Sequence, residues 1–189
     1  RPQFVDLFNN QTNDGRDMMY TNGQTKDIAK ISDFTNGYAT TKWTNMTSTG
    51  SAGSNPSFVD TDFPMFRLAD VYLMYAEAVV RSGDNADMAT AVGLINKLRE
   101  RAYGNNSGDI TQSQLTLPFI LDERGRELYW EATRRTDLIR FGEFTGSKYV
   151  WSWKGGVQNG TGTDSHFKLY PIPSTDLNAN PNLTQNTGY

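Results

Sequence analysis

The sequence predicts a mainly α-helical fold, a tetratricopeptide-like helical hairpin with further helices, long loops and a few short strands. Three observations carry this expectation. Between residues 64 and 144 apolar side chains recur at three- and four-residue steps, the spacing of one helical face. Outside that stretch Thr, Gly, Asn and Ser prevail, and together they supply about a third of the 189 residues. The chain also carries 10 Phe, 4 Trp and 9 Tyr, whereas disordered chains are poor in rings. A folded protein with much ordered loop is therefore expected.

Taken in order, residues 1–62 read as loops and short strands. Arg16–Tyr20 and Asp27–Ile31 show short alternation, Asn22-Gly23 is a hairpin-type turn signal, and Ser48–Ser57 reads as an exposed loop. Residues 63–144 form the helical core. Pro64 suits a first helical position with Asp62 as its cap, and Leu68, Ala69, Tyr72, Tyr75, Ala76 and Val79 share one face. Gly83 ends that helix and Asp84-Asn85 reads as the cap of the next, which runs through Met88, Ala91, Val92, Ile95, Leu98 and Ala102 to Gly104. The pair matches one tetratricopeptide-like unit of about 34 residues, without a second copy. Pro118 opens a third helix reaching Trp130, with Gly125 weakening its middle by ~1 kcal/mol relative to Ala. A short fourth helix is expected over Arg135–Phe141. Residues 145–189 return to loop, and no helix is expected there.

Composition excludes several functions. Without Cys there is no disulfide framework, thiolate zinc site or Cys nucleophile. A single His, His166, excludes HExxH and multi-histidine metal sites. A formal charge of −3 removes the electrostatic case for nucleic acid as main partner. No run of 18 apolar residues is present to span a bilayer. Residue 1 is Arg rather than Met, so the polypeptide is expected to derive from something longer. No cofactor is expected, and a calcium site is not predictable because the acids lack EF-hand spacing.

Glu123, Glu127 and Glu131 follow one another at four-residue steps. Paired carboxylates can serve a glycosidase as acid and base, but charge pairing with nearby Arg124, Arg126, Arg134 and Arg135 explains them more simply. Arg67, Asp70, Glu77, Arg99, Arg101, Arg135, Asp137 and Arg140 read as an ion-pair network between helices, with phosphate or sulfate binding as the sharper alternative. Asp164, Ser165 and His166 are adjacent in sequence, and triad members meet from different segments, so they carry little catalytic signal. Tyr149, Trp151 and Trp153 alternate. If that segment is extended the three rings share a side, as a lid over the helical core or a platform for the apolar faces of sugar rings. Trp43, beside Lys42 and Asn45, carries the same two readings.

Several motifs then resemble the SusD/RagB family. They are Phe66-Arg67-Leu68-Ala69-Asp70-Val71-Tyr72-Leu73-Met74-Tyr75-Ala76-Glu77-Ala78, Ile95-Asn96-Lys97-Leu98-Arg99-Glu100-Arg101-Ala102, Glu123-Arg124 with Glu127-Leu128, Arg135-Thr136-Asp137-Leu138-Ile139-Arg140-Phe141-Gly142, Tyr170-Pro171-Ile172-Pro173 and the closing Asn180–Tyr189. They come in the family's order, and Lys148–Gly156 is most similar to the starch-binding branch. The resemblance implies a non-catalytic lipoprotein of the Bacteroidetes outer membrane that binds glycans on the extracellular face. It would be anchored through an N-terminal Cys absent from this chain. Its implied partners are a starch-like α-glucan and a SusC-type TonB-dependent transporter. It also implies a longer protein whose N-terminal half is missing here. The motifs read as fold-holding, so Tyr149, Trp151, Trp153 and Trp43 are proposed as ligand-binding from ring chemistry alone. A glycoside hydrolase using Glu123 or Glu127, and a helical protein-interaction scaffold, stand as the alternatives.

Overall fold

The computed structural model describes residues 1–83 and 85–189. They form two compact units, Arg1–Arg134 and Arg135–Tyr189.

In the first unit, α1 (Pro2–Val5) sets Phe4 against Phe8 and Tyr129, with ring centroids 5.8 and 5.0 Å away. The strand β1 (Met19–Tyr20) pairs antiparallel with β2 (Ala39–Thr40) in the register Met19–Thr40 and Tyr20–Ala39. The Asn22-Gly23 turn forms, with Gly23 at φ 71°, but it does not fold the chain straight back. Asp27–Ile31 is not a strand. The returning strand comes later, because Thr25 and Asn36 bridge first and close off the intervening loop.

The hairpin consists of α2 (Leu68–Ser82) and α3 (Met88–Tyr103), of 15 and 16 residues. Both stop at a left-handed glycine, Gly83 and Gly104, where a β-carbon would strain the backbone. The first helix starts later than its apolar pattern suggests. Met65 and Phe66 are 81% and 89% exposed, so they bury no face that would stabilise a further turn. Arg67 is extended at φ −133° and is the residue preceding the helix, in place of Asp62. The second helix is preceded by Asp87 rather than Asn85, while Asp84 lies outside the described residues.

Next comes α4 (Leu117–Leu128), packed on α2 and opened by the Thr116 hydroxyl, which accepts from the Phe119 amide. Leu73, Ala76, Ala91, Ile95 and Ile120 are fully buried between these helices. Gly125 fits the packing: a β-carbon there would stand 2.6 Å from Leu7 Cδ1. The helix ends at Leu128, short of Trp130, so Glu131 sits in the following turn rather than on the helical face. Its end is capped from outside. The Lys42 amine donates to the carbonyls of Glu127 and Tyr129 at 2.9 and 2.8 Å, where the helix dipole favours a cation.

Buried ion pairs tie the segments of this unit to one another. Glu123 is wholly buried. One of its oxygens accepts from Arg16 at 2.7 Å, and the other from Arg99 at 2.8 Å and Arg126 at 2.7 Å. Glu127 takes Arg101 at 2.7 Å and Arg67 at 3.0 Å. Glu131 takes Arg67 at 2.8 Å and Lys42 at 2.5 Å, while Asp14 holds Arg16 at 2.7 Å. Asp70 pairs with Arg124 at 2.8 Å, and Glu77 with Arg81 one turn along α2.

The second unit begins in α5 (Arg134–Arg140) and continues through irregular chain to α6 (Ser174–Ala179). This last helix corrects the expectation of a helix-free tail. Here the ion-pair expectation is corrected for Arg135. Asp137 is buried and bonded to Arg140 within α5 at 2.8 Å. Arg135 instead donates to the carbonyl of Phe167 at 2.8 Å and lies 4.1 Å from the Tyr170 ring centroid. Each of these contacts lies within the second unit.

Burial alone would raise the Glu123 carboxyl, but Arg16, Arg126 and Arg99 overcome it and push its pKa down to about 2. An unfolded Glu titrates near 4.5, so its contribution to stability is complete above that pH and is lost as pH falls toward about 2. The urea midpoint is expected to drop across this window, and to drop less in Glu123→Gln. At neutral pH that substitution leaves buried guanidinium charge uncompensated and is expected to cost about 3–5 kcal/mol in urea unfolding.

Candidate functional site

The second unit carries an open cavity of about 400 Å³. Its walls are rings: Phe144, Trp151, Trp153, Phe167, Tyr170 and Tyr189 all line it. The segment carrying the tryptophans is not extended. Trp153 has φ 68°, Gly155 and Gly156 follow at 65° and 77°, and the Trp153 amide bonds back to Gln158 O at 3.1 Å. The chain therefore turns, and period-two alternation does not set the direction of these rings. Trp151 and Trp153 still reach one cavity. Tyr149 contributes through Trp151, its ring centroid 6.0 Å away, rather than to the lining.

Cations stand in these walls with their donors directed at backbone. Lys154 is 2% exposed, and its amine donates to the carbonyls of Tyr149 at 2.5 Å and Gly146 at 3.1 Å. The same amine lies 4.6 Å from the Trp151 ring centroid, a cation–π distance. Arg135 sits between the rings of Phe144 and Tyr170 at 4.9 and 4.1 Å. The Tyr189 hydroxyl donates to Leu169 O at 2.8 Å. The cavity thus offers flat apolar faces on a braced frame. That surface suits the C–H faces of a neutral ring better than a charged group.

Trp43 lies in the first unit, in a separate cleft of about 310 Å³ with Phe63 and Trp130. The four rings singled out from sequence therefore fall into two places. Sequence reading missed Phe144, Phe167, Tyr170 and Tyr189 as cavity walls, since no periodicity links them. It also missed Arg16 and Asp14 in the ion-pair cluster. Their signal was an Asp-x-Arg spacing inside a stretch read as strand.

The carboxylates do not have an acid–base geometry. A glycosidase acid needs a raised pKa, and Glu123 is pushed the opposite way, to about 2, by three guanidiniums. The Glu127 carboxyl is likewise held below its usual range: burial raises it, and Arg101, Arg16 and Arg67 together outweigh that effect. The arginines are engaged in turn. Arg67 donates through Nε and Nη2 to Glu131 and pairs through Nη1 with Glu127, and Arg101 donates to both Glu127 oxygens. A phosphate would have to displace those carboxylates. His166 is bonded to Asp164 at 2.8 Å and packed on Phe167 and Tyr189. Among the described residues no group of three or more His, Cys, Asp or Glu is placed to hold a metal ion.

The helical hairpin and the sequence around it define a SusD-type protein: the chain belongs to the SusD family, whose sequence model matches residues 7–189. The starch-binding protein SusD of Bacteroides thetaiotaomicron is 46% identical over 160 residues, which is 84% of this chain and 27% of that protein. A SusD-like protein of Formosa agariphila is 36% identical over 150 residues, 72% of this chain and 27% of that protein. The chain thus spans about a quarter of the length of these relatives. A crystal structure of a SusD superfamily protein from Bacteroides thetaiotaomicron superposes with a TM-score of 0.67 at 26% identity, covering 97% of this chain and 39% of that one. Surface glycan-binding protein A from Bacteroides fluxus gives the same TM-score at 22% identity, a likeness of fold.

Removing the Trp151 ring takes away the cation–π partner of Lys154. Trp151→Ala is expected to lower stability by about 1–3 kcal/mol, read from urea unfolding, while Lys148→Ala, which removes an exposed amine paired with Glu143, is expected to change it by under about 1 kcal/mol.

Proposed function

We propose that this chain serves non-catalytic glycan binding at the bacterial cell surface, with a starch-like α-glucan as ligand. Membership of the SusD family and 46% identity to a starch-binding protein support that reading. The observation that carries it in this chain is the ring-walled cavity of the second unit, lined by Trp151 and Trp153 while Lys154 and Arg135 spend their donors on backbone carbonyls.

In this reading sugar rings stack on the tryptophans, at a scale resembling base–aromatic stacking, ~1–3 kcal/mol per ring. Two rings with a few hydrogen bonds give modest affinity, suited to capture and release. The protein would sit lipid-anchored on the outer face of the outer membrane and pass its glycan to a SusC-type TonB-dependent transporter. Glu123 and Glu127 would have no chemical role, because their oxygens are occupied by arginine.

Calorimetry with maltohexaose tests the reading. Binding is expected in the wild type and is expected to weaken by about 1–3 kcal/mol in Trp153→Ala, with no shorter sugars formed on long incubation. Release of shorter sugars that is abolished in Glu123→Gln would overturn it.

A further inference from the structure

The cleft of the first unit has features that neither the fold nor the cavity of the second unit requires. Trp130 is 68% exposed although its neighbours Tyr129 and Glu131 are 6% and 9% exposed. Its backbone stands at φ 59°, a region a bulky residue rarely occupies. The cause lies on both sides. Lys42 holds the Tyr129 carbonyl and Arg67 the Glu131 carboxylate, so the intervening ring is turned outward. Trp43 completes the arrangement by donating its indole N–H to the Trp130 carbonyl at 3.2 Å. Phe63, 55% exposed, lies 5.9 Å from Trp43 with the two planes only 34° apart. Trp43 and Phe63 thus sit side by side, and Trp130, tied to Trp43 through its carbonyl, lines the same cleft.

The rim supplies acceptors. The Asp62 carboxylate is exposed and makes no hydrogen bond among the described residues, and the same holds for the Thr44 hydroxyl. Asn45 is committed to the wall, donating to Asn55 O and Phe58 O and accepting from the Asp60 amide. We propose that this cleft is a second sugar subsite that stacks one neutral hexopyranose ring on Trp43 and Trp130, with Asp62 accepting from two adjacent hydroxyls. The proposal rests on the glycan-binding reading above. A volume of about 310 Å³ is at the small end for ligand sites, enough for one ring rather than a buried chain. The free carboxylate selects against phosphorylated or acidic sugars, and its charge-assisted bonds favour neutral diols.

The four tryptophans give a direct test, since each contributes one indole N–H signal in the spectrum of the nitrogen-labelled chain. Maltohexaose and cellohexaose are titrated separately. The Trp43 and Trp130 signals are expected to shift and saturate with at least one of them. Asp62→Asn, an exposed change, is expected to weaken that response about tenfold, and Trp130→Ala to abolish the shift of Trp43. Trp153→Ala is expected to leave the Trp43 and Trp130 response in place. If Trp151 and Trp153 respond while Trp43 and Trp130 stay fixed with both sugars, this subsite is refuted and the cavity of the second unit stands. Four fixed signals refute both. An undiminished response in Asp62→Asn overturns the assignment of the carboxylate, and with it the proposal.

Discussion

Glu123 is the group on which the first unit depends. Its two oxygens gather guanidiniums from the N-terminal segment, from α3 and from its own helix, Arg16, Arg99 and Arg126. Three parts of the chain thereby meet at one buried carboxylate. A pair of this kind contributes little net stability over an apolar substitute of equal volume, and its loss on one side is costly. What it supplies is position. Arg16 lies more than a hundred residues from Glu123 in sequence, and apolar packing alone would leave its segment free to slide.

The excess of cations in this cluster is balanced by backbone. Arg16, Lys42, Arg67, Arg99, Arg101 and Arg126 surround Asp14, Glu123, Glu127 and Glu131. The carbonyl end of α4 supplies further negative potential, reached by Lys42 and Arg67. Burial nonetheless outweighs the pull of Glu131 and keeps the Lys42 amine below its ordinary pKa. With these ionic groups so occupied, the clefts of both units are walled chiefly by rings, and the cleft of the first unit adds the Asp62 carboxylate. This division of labour between charged and flat side chains recurs in both units.

The helices were legible in the sequence because their apolar faces are continuous and end at Gly83 and Gly104, where only the backbone conformation needed to be read. Their starts were less so. Met65 and Phe66 continue the apolar pattern but stay exposed, and periodicity does not report whether a face finds a partner. Glu123 and Glu127 were recognisable as charge-paired, yet Arg16 was not, since long-range pairing leaves no local spacing. The same limit hid Phe144, Phe167, Tyr170 and Tyr189, which converge on Trp151 and Trp153 through loops. Alternation alone could not say whether that loop is extended, because it is shared by strands and by turns that happen to alternate.

Lys154 has a consequence of its own. An ammonium group enclosed by carbonyl oxygens from its own loop, as here by Gly146 and Tyr149, does what a bound potassium or calcium ion does elsewhere. It gives an irregular peptide a fixed centre without any ion to acquire or lose. In the proposed reading, a surface braced in this way would have little freedom to surrender on contact with a ligand. In the reading proposed above, such a loop would keep its shape whatever the mineral content of its surroundings.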